Sequence, residues 1–212
     1  MDQLEILKKQ WQSSEQEHPK VSYNDIYKML LKKSSSIVKW IFIISIAELL
    51  FWIGIQFLIP KENIELMRDM GVSDIMFYSN FIHYIIFAIF IYYFYRNYTA
   101  IQVTDNTKTL MKNILKTRKT VKYFVLYNVG MAILTSIVVD VYFFYNSNQL
   151  YETMDFASKG VPQENFANVF MLSQILVGAA IIGMLMIFYW LIYGTLLKRL
   201  KSNYTELKKM KG

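Results

Sequence analysis

Four long apolar runs alternate with polar segments along this chain. They cover residues 37–59, 75–95, 121–145 and 169–197. A helix needs roughly 20 apolar residues to cross about 30 Å of hydrocarbon, and each run has that length. The runs are too continuously apolar for the strands of a membrane barrel, whose residues alternate over about 10 positions. The pattern therefore predicts an all-α, polytopic membrane protein whose domain of residues 37–197 is a bundle of four transmembrane helices.

The polar segments predict basic amphipathic helices next to the membrane. Residues 1–36 form the N-terminal segment, residues 96–120 the connection between spans two and three, and residues 198–212 a basic tail. Residues 1–17 have the spacing of a short amphipathic helix, and a second helix is expected to begin near Ser22. The apolar residues Ile26, Met29 and Leu30 of this helix share a face. We expect it to lie in the headgroup plane until the chain turns into the membrane at Ile37, the alternative being a solvated basic helix.

The basic residues indicate the orientation. All of the 23 lysines and arginines except Lys61, Arg68 and Lys159 lie in these three polar segments or at their borders with the spans. The other two connections are rich in acids. The positive-inside rule therefore predicts that both termini and the 96–120 connection are cytoplasmic. The N-terminal segment is polar and the first apolar run is too long for a signal peptide, so none is expected.

The cations also suit anionic lipid headgroups or a protein partner. We expect lipid or partner binding from seven of them, while nucleic acid is not expected because membrane flanks already explain the basic runs. The seven residues are Lys28, Lys32, Lys33, Lys112, Lys116, Arg118 and Lys119.

Two stretches suggest an internal repeat. K-M-L-L-K-K-S-S-S-I-V-K-W (28–40) aligns with K-N-I-L-K-T-R-K-T-V-K-Y (112–123) with one gap, and N-Y-T recurs at 97–99 and 203–205. A duplicated unit of basic helix, span, outer loop and span would give two halves of the same orientation, a parallel repeat. A composition biased toward Lys, Ile and Tyr can produce such matches by itself.

Polar residues inside the spans indicate a common interior. Glu48 lies in the middle of the first run, where a lone charged carboxylate costs about 2.5–3.5 kcal/mol on insertion scales. We expect it to be either protonated or charged and reached by water or a partner. Small and polar residues at helical spacing should face protein rather than lipid. The expected interior residues are Ser45, Glu48, Trp52 and Gln56 on span one, Asn80 and His83 on span two, Asn128, Ala132, Ser136 and Asp140 on span three, and Gln174 and Gly178 on span four.

Two interpretations of this polar interior stay open. At about 1.5 Å per residue, the groups descend from Gln56 near the outer surface to Glu48 at about 16 Å depth. They would line a water-accessible pocket or proton path with Glu48 at its floor and His83 and Asp140 on its wall. Alternatively, they form interhelical hydrogen bonds worth about 0.6 kcal/mol each.

Small and aromatic residues indicate further contacts. Gly178, Ala179 and Gly183 on span four permit close helix approach, within the bundle or between two copies of the chain. Aromatic clusters at the span ends, including Tyr189, Trp190 and Tyr193 on span four, are typical of membrane interfaces.

No catalytic motif is present. The chain contains no cysteine and two histidines, His18 and His83, which are expected on opposite sides of the membrane core and cannot share a metal. We therefore expect no catalytic residue, no metal and no cofactor.

The opening M-D-Q-L-E-I-L-K-K-Q-W, the 25–40 stretch beginning D-I-Y-K-M-L-L-K-K, and the 105–123 stretch beginning D-N-T-K-T-L-M-K-N resemble a group of small multi-pass proteins of Bacteroidota, flavobacteria especially. The resemblance implies a multi-pass protein of the bacterial inner membrane and assigns no functional residue. Some members of the group carry a beta-carotene monooxygenase label, and some are encoded beside sigma factors. Carotenoid-cleaving enzymes resemble iron proteins with four histidine ligands, and this chain has two histidines.

These observations favour a non-enzymatic membrane protein with an interaction, scaffold or regulatory role, which binds lipid or a protein partner through its basic cytoplasmic helices. One alternative is a small transporter or proton-coupled unit that uses Glu48, His83 and Asp140. The other is a membrane-embedded enzyme acting on lipid or isoprenoid, with Glu48 as its acid or base.

Overall fold

The computed structural model describes residues 22–104 and 106–210, which form six helices and no strand. The helix expected within residues 1–17 lies outside the described residues. The helices are α1 (Tyr23–Gln56), α2 (Lys61–Asp69), α3 (Ser73–Gln102), α4 (Thr107–Tyr145), α5 (Ser147–Thr153) and α6 (Phe166–Lys209). A π-helical turn at Trp190–Gly194 interrupts α6. The all-α prediction is confirmed.

Four of these helices, α1, α3, α4 and α6, are long and apolar enough to cross a membrane. Little of their apolar surface is covered by protein, since only 6% of the most apolar 18-residue window is buried in α3 and in α6. Side chains such as Leu172 and Leu176 are largely exposed instead. Because so much apolar surface is unfavourable in water, the solvent around it must be lipid. The chain is therefore a multi-pass membrane protein.

The helices continue well beyond the apolar runs into the basic segments. α1 has 34 residues and α4 has 39, and neither is broken where its apolar run begins. The Ser22 side chain accepts a hydrogen bond from the Asn24 backbone N–H and caps α1. The expected turn into the membrane at Ile37 is therefore absent, because nothing in the S-S-S-I-V stretch interrupts the helical hydrogen bonds.

We call the extended part of the bundle, residues 22–36, 96–104, 106–120 and 195–210, the basic end. Its apolar residues form a shared core that includes Leu30, Leu110, Ile114, Leu200 and Leu207. The apolar face expected to rest on headgroups thus packs largely on neighbouring helices, although Met29 stays exposed. Burial of that face explains why these segments continue the helices of the spans.

The opposite end of the bundle, which we call the loop end, is closed by the short helices α2 and α5. Met70, Leu150, Tyr151 and Phe166 form a second small apolar core there. Gly71 has a φ of +73° immediately after α2, a conformation that favours glycine and turns the chain toward α3. This core joins the α1–α3 connection to the α4–α6 connection.

The burial pattern supports the parallel internal repeat. Each residue of α3 that is fully buried has a buried counterpart in α6 at one constant sequence separation. The pairs are Phe87 and Tyr193, Phe94 and Leu200, Asn97 and Asn203, and Ile101 and Leu207. The buried positions Ser34, Val38, Ile41 and Ser45 of α1 likewise correspond at one separation to Thr117, Val121, Phe124 and Asn128 of α4.

Asparagines of the repeated N-Y-T triplet make similar contacts between the halves, with acceptors that differ by one helical turn in the register of the repeat. Asn97 donates from Nδ2 to Thr120 Oγ1 across α3 and α4 at 3.1 Å. Asn203 donates from Nδ2 to Ser34 Oγ across α6 and α1 at 3.0 Å. Each bond links the second span of one half to the first span of the other. The N-Y-T repetition therefore has a packing role at the basic end.

Candidate functional site

The most deeply buried acid, Glu48, is held by two tyrosines of α6. Tyr189 Oη donates to Glu48 Oε1 at 2.5 Å, and Tyr193 Oη donates to Oε2 at 3.0 Å. Glu48 is 5% exposed, and the two tyrosines are 3% and 1% exposed. Each carboxyl oxygen thus has its own hydroxyl donor, which offsets the cost of burying it. We call these three residues the Glu48 cluster.

The geometry of α6 brings both tyrosines to one carboxyl group. Residues four apart lie on the same helix face, so Tyr189 and Tyr193 project together toward α1. The π-helical turn Trp190–Gly194 begins between them, and such turns occur frequently at functional sites. Trp190, beside them in sequence, points away from the bundle and is 74% exposed.

The prediction that Tyr189 and Tyr193 form part of an interfacial aromatic belt is therefore wrong, whereas Trp190 has the exposure expected of such a belt. The depths of Tyr189 and Glu48, measured from the basic end, would have indicated that the two residues can contact each other. Tyr189 lies about 12 Å from that end of span four and Glu48 about 16 Å from that end of span one, at 1.5 Å per residue. A hydroxyl partner for Glu48 was therefore available at nearly its own depth.

A cavity of about 520 Å³ lies between the four long helices, from the level of Tyr189 toward the loop end. Its lining includes Gln56 of α1, His83 of α3, and Asn128 and Ser136 of α4. Five of the polar residues predicted to share an interior, these four and Asn80 of α3, therefore do surround one space. Tyr189 also lines this cavity, and its hydroxyl group donates to Glu48, which is not part of the lining.

Hydrogen bonds hold the polar wall of this cavity in place. The His83 imidazole stacks on the Tyr127 ring at 5.6 Å, and His83 Nδ1 lies 3.2 Å from Tyr127 Oη. Asn128 Nδ2 donates to the Phe124 carbonyl at 2.8 Å. Gln56 Nε2 donates to Tyr84 Oη at 2.5 Å. The wall is therefore built from uncharged groups.

Among the predicted polar interior residues, Asp140 and Gln174 toward the loop end do not line the cavity, and neither do Ser45 and Glu48 toward the basic end. The Asp140 carboxylate accepts a hydrogen bond from Ser136 Oγ at 3.4 Å, one helical turn away on α4. Gln174 is half-buried on α6. Asp140 and Gln174 lie toward the loop end of α4 and α6, so the cavity reaches Gln56, the outermost residue of the predicted row, without including these two.

Of the three small residues predicted to permit close packing, Gly178 makes the contact. A Cβ atom at Gly178 would lie 2.8 Å from Ser136 Oγ, so α4 and α6 approach closely only because no side chain is there. At Gly183 an added Cβ would meet nothing within 4 Å, and Ala179 is exposed. Ala179 and Gly183 therefore do not mediate close helix packing within the bundle.

At the basic end, a groove of about 630 Å³ runs between α1 and α6. Lys32, Lys33 and Arg199 line it, together with Ser36 and the acid Glu206. Arg199 also borders a second, apolar groove of about 290 Å³ that continues between the same helices toward the middle of the bundle. The apolar groove is lined by Trp40, Ile44, Leu191, Ile192, Thr195 and Leu196.

The other predicted binding cations are distributed around the basic end. Lys28 on α1 and Lys112, Lys116 and Lys119 on α4 have exposed side chains, and Lys119 lies over the Tyr123 ring at 5.6 Å. Arg118 is half-buried, and its Nε has no hydrogen-bond partner among the described residues. None of these five lines the groove between α1 and α6.

Acids and histidines do not converge on a metal site in the described part of the chain, where no three such residues lie close enough to hold an ion.

In the comparison with known proteins, a family model described as a domain of unknown function, DUF8845, matches residues 24–212. No curated protein and no solved structure matches the chain. The matched region contains the six helices apart from Tyr23 at the start of α1, together with the cavity and both grooves, and the chain belongs to the DUF8845 family.

Proposed function

We propose that this protein is a non-enzymatic inner-membrane protein that binds anionic phospholipid at its basic end, which faces the cytoplasm. The observation that carries the proposal is the pair of joined grooves between α1 and α6. One groove has three cations and the other is apolar, and Arg199 belongs to both. A phospholipid has the same two parts in the same order, an anionic headgroup followed by an acyl chain.

The position of the grooves along the helices matches the surface of a membrane. Lys32 and Lys33 precede the first apolar run, and Arg199 follows the last one. The apolar groove begins at Trp40, inside the first run, and tryptophan is enriched at membrane–water interfaces. A phosphate group at this level would contact the cations while its chain entered the apolar groove.

The electrostatic contribution of the groove is substantial. Cations near a membrane surface contribute about 1 kcal/mol each toward anionic lipid, so Lys32, Lys33 and Arg199 together supply up to about 3 kcal/mol. Glu206 at the groove edge opposes part of this. The remaining effect still amounts to about a tenfold preference for anionic over zwitterionic lipid, since 1.4 kcal/mol corresponds to a factor of 10.

The test is lipid retention by the purified full-length protein. Native mass spectrometry in mild detergent, after incubation with equal amounts of phosphatidylglycerol and phosphatidylcholine, should show about tenfold more bound phosphatidylglycerol. The triple variant Lys32→Gln, Lys33→Gln, Arg199→Gln should lose this preference, because the groove keeps its shape without its positive charges.

The matched control carries the same change of charge elsewhere at the basic end. The triple variant Lys112→Gln, Lys116→Gln, Lys119→Gln removes three exposed cations of α4 that lie outside the groove. It should keep the preference for phosphatidylglycerol. Equal losses in both variants would show diffuse attraction rather than a site, and an unchanged preference in the groove variant would refute the proposal.

A proton-coupled transport unit is the second candidate, and one contact favours it. Tyr189 lines the cavity and its hydroxyl group donates to Glu48, so one side chain joins the cavity wall to the buried acid. In this function Glu48→Gln stops proton flux into proteoliposomes measured with an entrapped pH dye. In the lipid-binding function the same variant retains phosphatidylglycerol as the wild type does.

The finer assignments drawn from the sequence belong to the same proposal. These are the inner membrane, cytoplasmic termini, a regulatory or scaffold role, and relatives in Bacteroidota. The distribution of Lys and Arg supports the orientation. An enzyme acting on lipid or isoprenoid stays a prediction.

A further inference from the structure

The cavity above the Glu48 cluster is open to the bilayer on one side. α1 packs closely on the Thr195–Lys209 part of α6, whereas the Phe166–Tyr189 part of α6 packs on α4 and has little contact with α1. The two helices therefore diverge toward the loop end. Phe51 of α1 and Ile181 and Met184 of α6 line the cavity and are themselves largely exposed, so they form the rim of this opening.

The opening faces the hydrocarbon of the membrane rather than water. Its rim residues lie within the apolar runs of spans one and four, and the helix surfaces on both sides of them are apolar. The cavity wall on α4 extends from Asn128 to Ser136, eight residues or about 12 Å along the helix. A molecule that enters from the side must therefore dissolve in lipid.

The inner wall selects for an uncharged polar group. Among the lining residues no Lys, Arg, Asp or Glu is present, and the polar ones are amides, hydroxyls and the His83 imidazole. A charged headgroup at this depth would lie unpaired in a medium of low polarity, which is strongly unfavourable. An uncharged head with hydrogen-bonding capacity meets partners and no such penalty.

Hydrogen-bonding capacity is left over on this wall. His83 uses Nδ1 toward Tyr127, and Asn128 uses Nδ2 toward the Phe124 carbonyl. Within the described residues, His83 Nε2 and Asn128 Oδ1 make no hydrogen bond, and neither atom is fully buried. An amide and an imidazole together offer both a donor and an acceptor. A hydroxyl group uses both.

We propose that this cavity binds an uncharged, hydroxyl-headed membrane lipid, of the class of diacylglycerols and long-chain alcohols, with its head against His83 and Asn128 and its chain leaving between α1 and α6. The volume of about 520 Å³ lies in the usual range of 300–1,000 Å³ for small-molecule sites and accommodates the head and the first part of a chain. This site is separate from the groove at the basic end and does not depend on it.

Photocrosslinking in vesicles tests the proposal. The full-length protein is reconstituted in phosphatidylcholine vesicles that contain a trace of diacylglycerol carrying a photoreactive alkyl chain, and labelled peptides are identified by mass spectrometry. Label should concentrate on the cavity segments of α1, α4 and α6. A phosphatidylcholine probe with the same photoreactive chain should label these segments about tenfold less.

Two small residues on the bundle provide matched variants. Ala132 lines the cavity, whereas Ala179 is exposed on the outer surface of α6. Ala132→Phe fills the cavity and should reduce diacylglycerol labelling about tenfold, while Ala179→Phe should leave it unchanged. Asn128→Leu keeps the size of the side chain and removes its hydrogen-bonding groups, so labelling should fall toward that of the phosphatidylcholine probe.

The possible outcomes distinguish a lipid site in the cavity from labelling elsewhere. Equal labelling by the two probes would overturn the proposal, as would labelling that resists both Ala132→Phe and Asn128→Leu. If Ala132→Phe does not fold, Asn128→Leu alone decides, because it leaves the packing volume nearly constant. Loss of diacylglycerol labelling together with intact phosphatidylglycerol retention in these variants would support the cavity site independently of the basic groove.

Discussion

Removing the hydroxyl groups of Tyr189 and Tyr193 should destabilise the bundle, and removing the acid that they bind as well should restore most of the lost stability. Each hydroxyl donates to a separate oxygen of Glu48, and all three side chains are almost completely buried. In Tyr189→Phe with Tyr193→Phe, both carboxyl oxygens lose their tyrosine donors while remaining in an apolar environment. A buried polar group that loses its partner costs more than the hydrogen bond itself contributed.

The magnitude follows from the number of bonds. Hydrogen bonds to a charged group contribute about 1.5–3 kcal/mol in proteins, whereas those inside membrane proteins average about 0.6 kcal/mol with a maximum near 1.7 kcal/mol. The double tyrosine variant should therefore lose about 2–3 kcal/mol of unfolding free energy. Adding Glu48→Leu should restore stability to within about 1 kcal/mol of the wild type, because buried charged or polar groups can be replaced by apolar ones of similar volume at little cost.

Unfolding in mixed micelles of dodecyl sulfate, followed by circular dichroism, measures these differences. Tyr145→Phe is the control, because Tyr145 is 81% exposed at the loop end and its hydroxyl should contribute little. If the double tyrosine variant is as stable as the control, the Glu48 cluster does not hold α1 to α6. If Glu48→Leu lowers the stability of the double tyrosine variant further, the three residues do not act as a unit.

Other predictions follow from single contacts. Gly178→Ala should lower the free energy of unfolding by about 1–3 kcal/mol in the same assay, because the added methyl group overpacks against Ser136. Adding Ser136→Ala should recover most of the lost stability, since the remaining Cβ of residue 136 would lie at 4.0 Å. Equal stability of the single and double variants would argue against this contact. Asn203→Ala should lower the free energy of unfolding by about 1 kcal/mol, because the hydrogen bond to Ser34 is lost. In a double-mutant cycle, Ser34→Ala combined with Asn203→Ala should destabilise the protein by less than the sum of the two single changes. Single cysteines at Lys61 and Lys159 should react with a membrane-impermeant maleimide in intact cells; protection at both positions would reverse the proposed orientation.

The spans were predictable from the sequence because a helix in lipid needs apolar side chains along its whole length. A helix that crosses hydrocarbon must be continuously apolar over its length, and the runs at 37–59 and 121–145 have this property without any tertiary information. The lengths of the helices were not predictable in the same way. α1 continues to Tyr23 because its apolar face is buried by α4 and α6, and this partnership is a property of the assembled bundle.

The candidate site was predictable only in part. Helical spacing correctly grouped Gln56, His83, Asn128 and Ser136 around a common interior, because polar residues avoid lipid whatever their partners are. The partners of Glu48 were missed, because tyrosine near a span end is also the residue expected at a membrane interface. Only the rotation of α6, which turns Tyr193 inward and Trp190 outward, distinguishes the two roles.

Collision of spin labels with molecular oxygen, which concentrates in lipid, tests the central arrangement most directly. Labels at Leu50 and Leu126, which are 61% and 69% exposed in the apolar runs, should show strong oxygen broadening in reconstituted vesicles. Labels at Ser45 and Phe124, which are both 0% exposed and lie outside the cavity lining, should show little. The opposite result, with Ser45 and Phe124 broadened and Leu50 and Leu126 protected, would mean that these faces of α1 and α4 point toward lipid and that the shared interior does not exist.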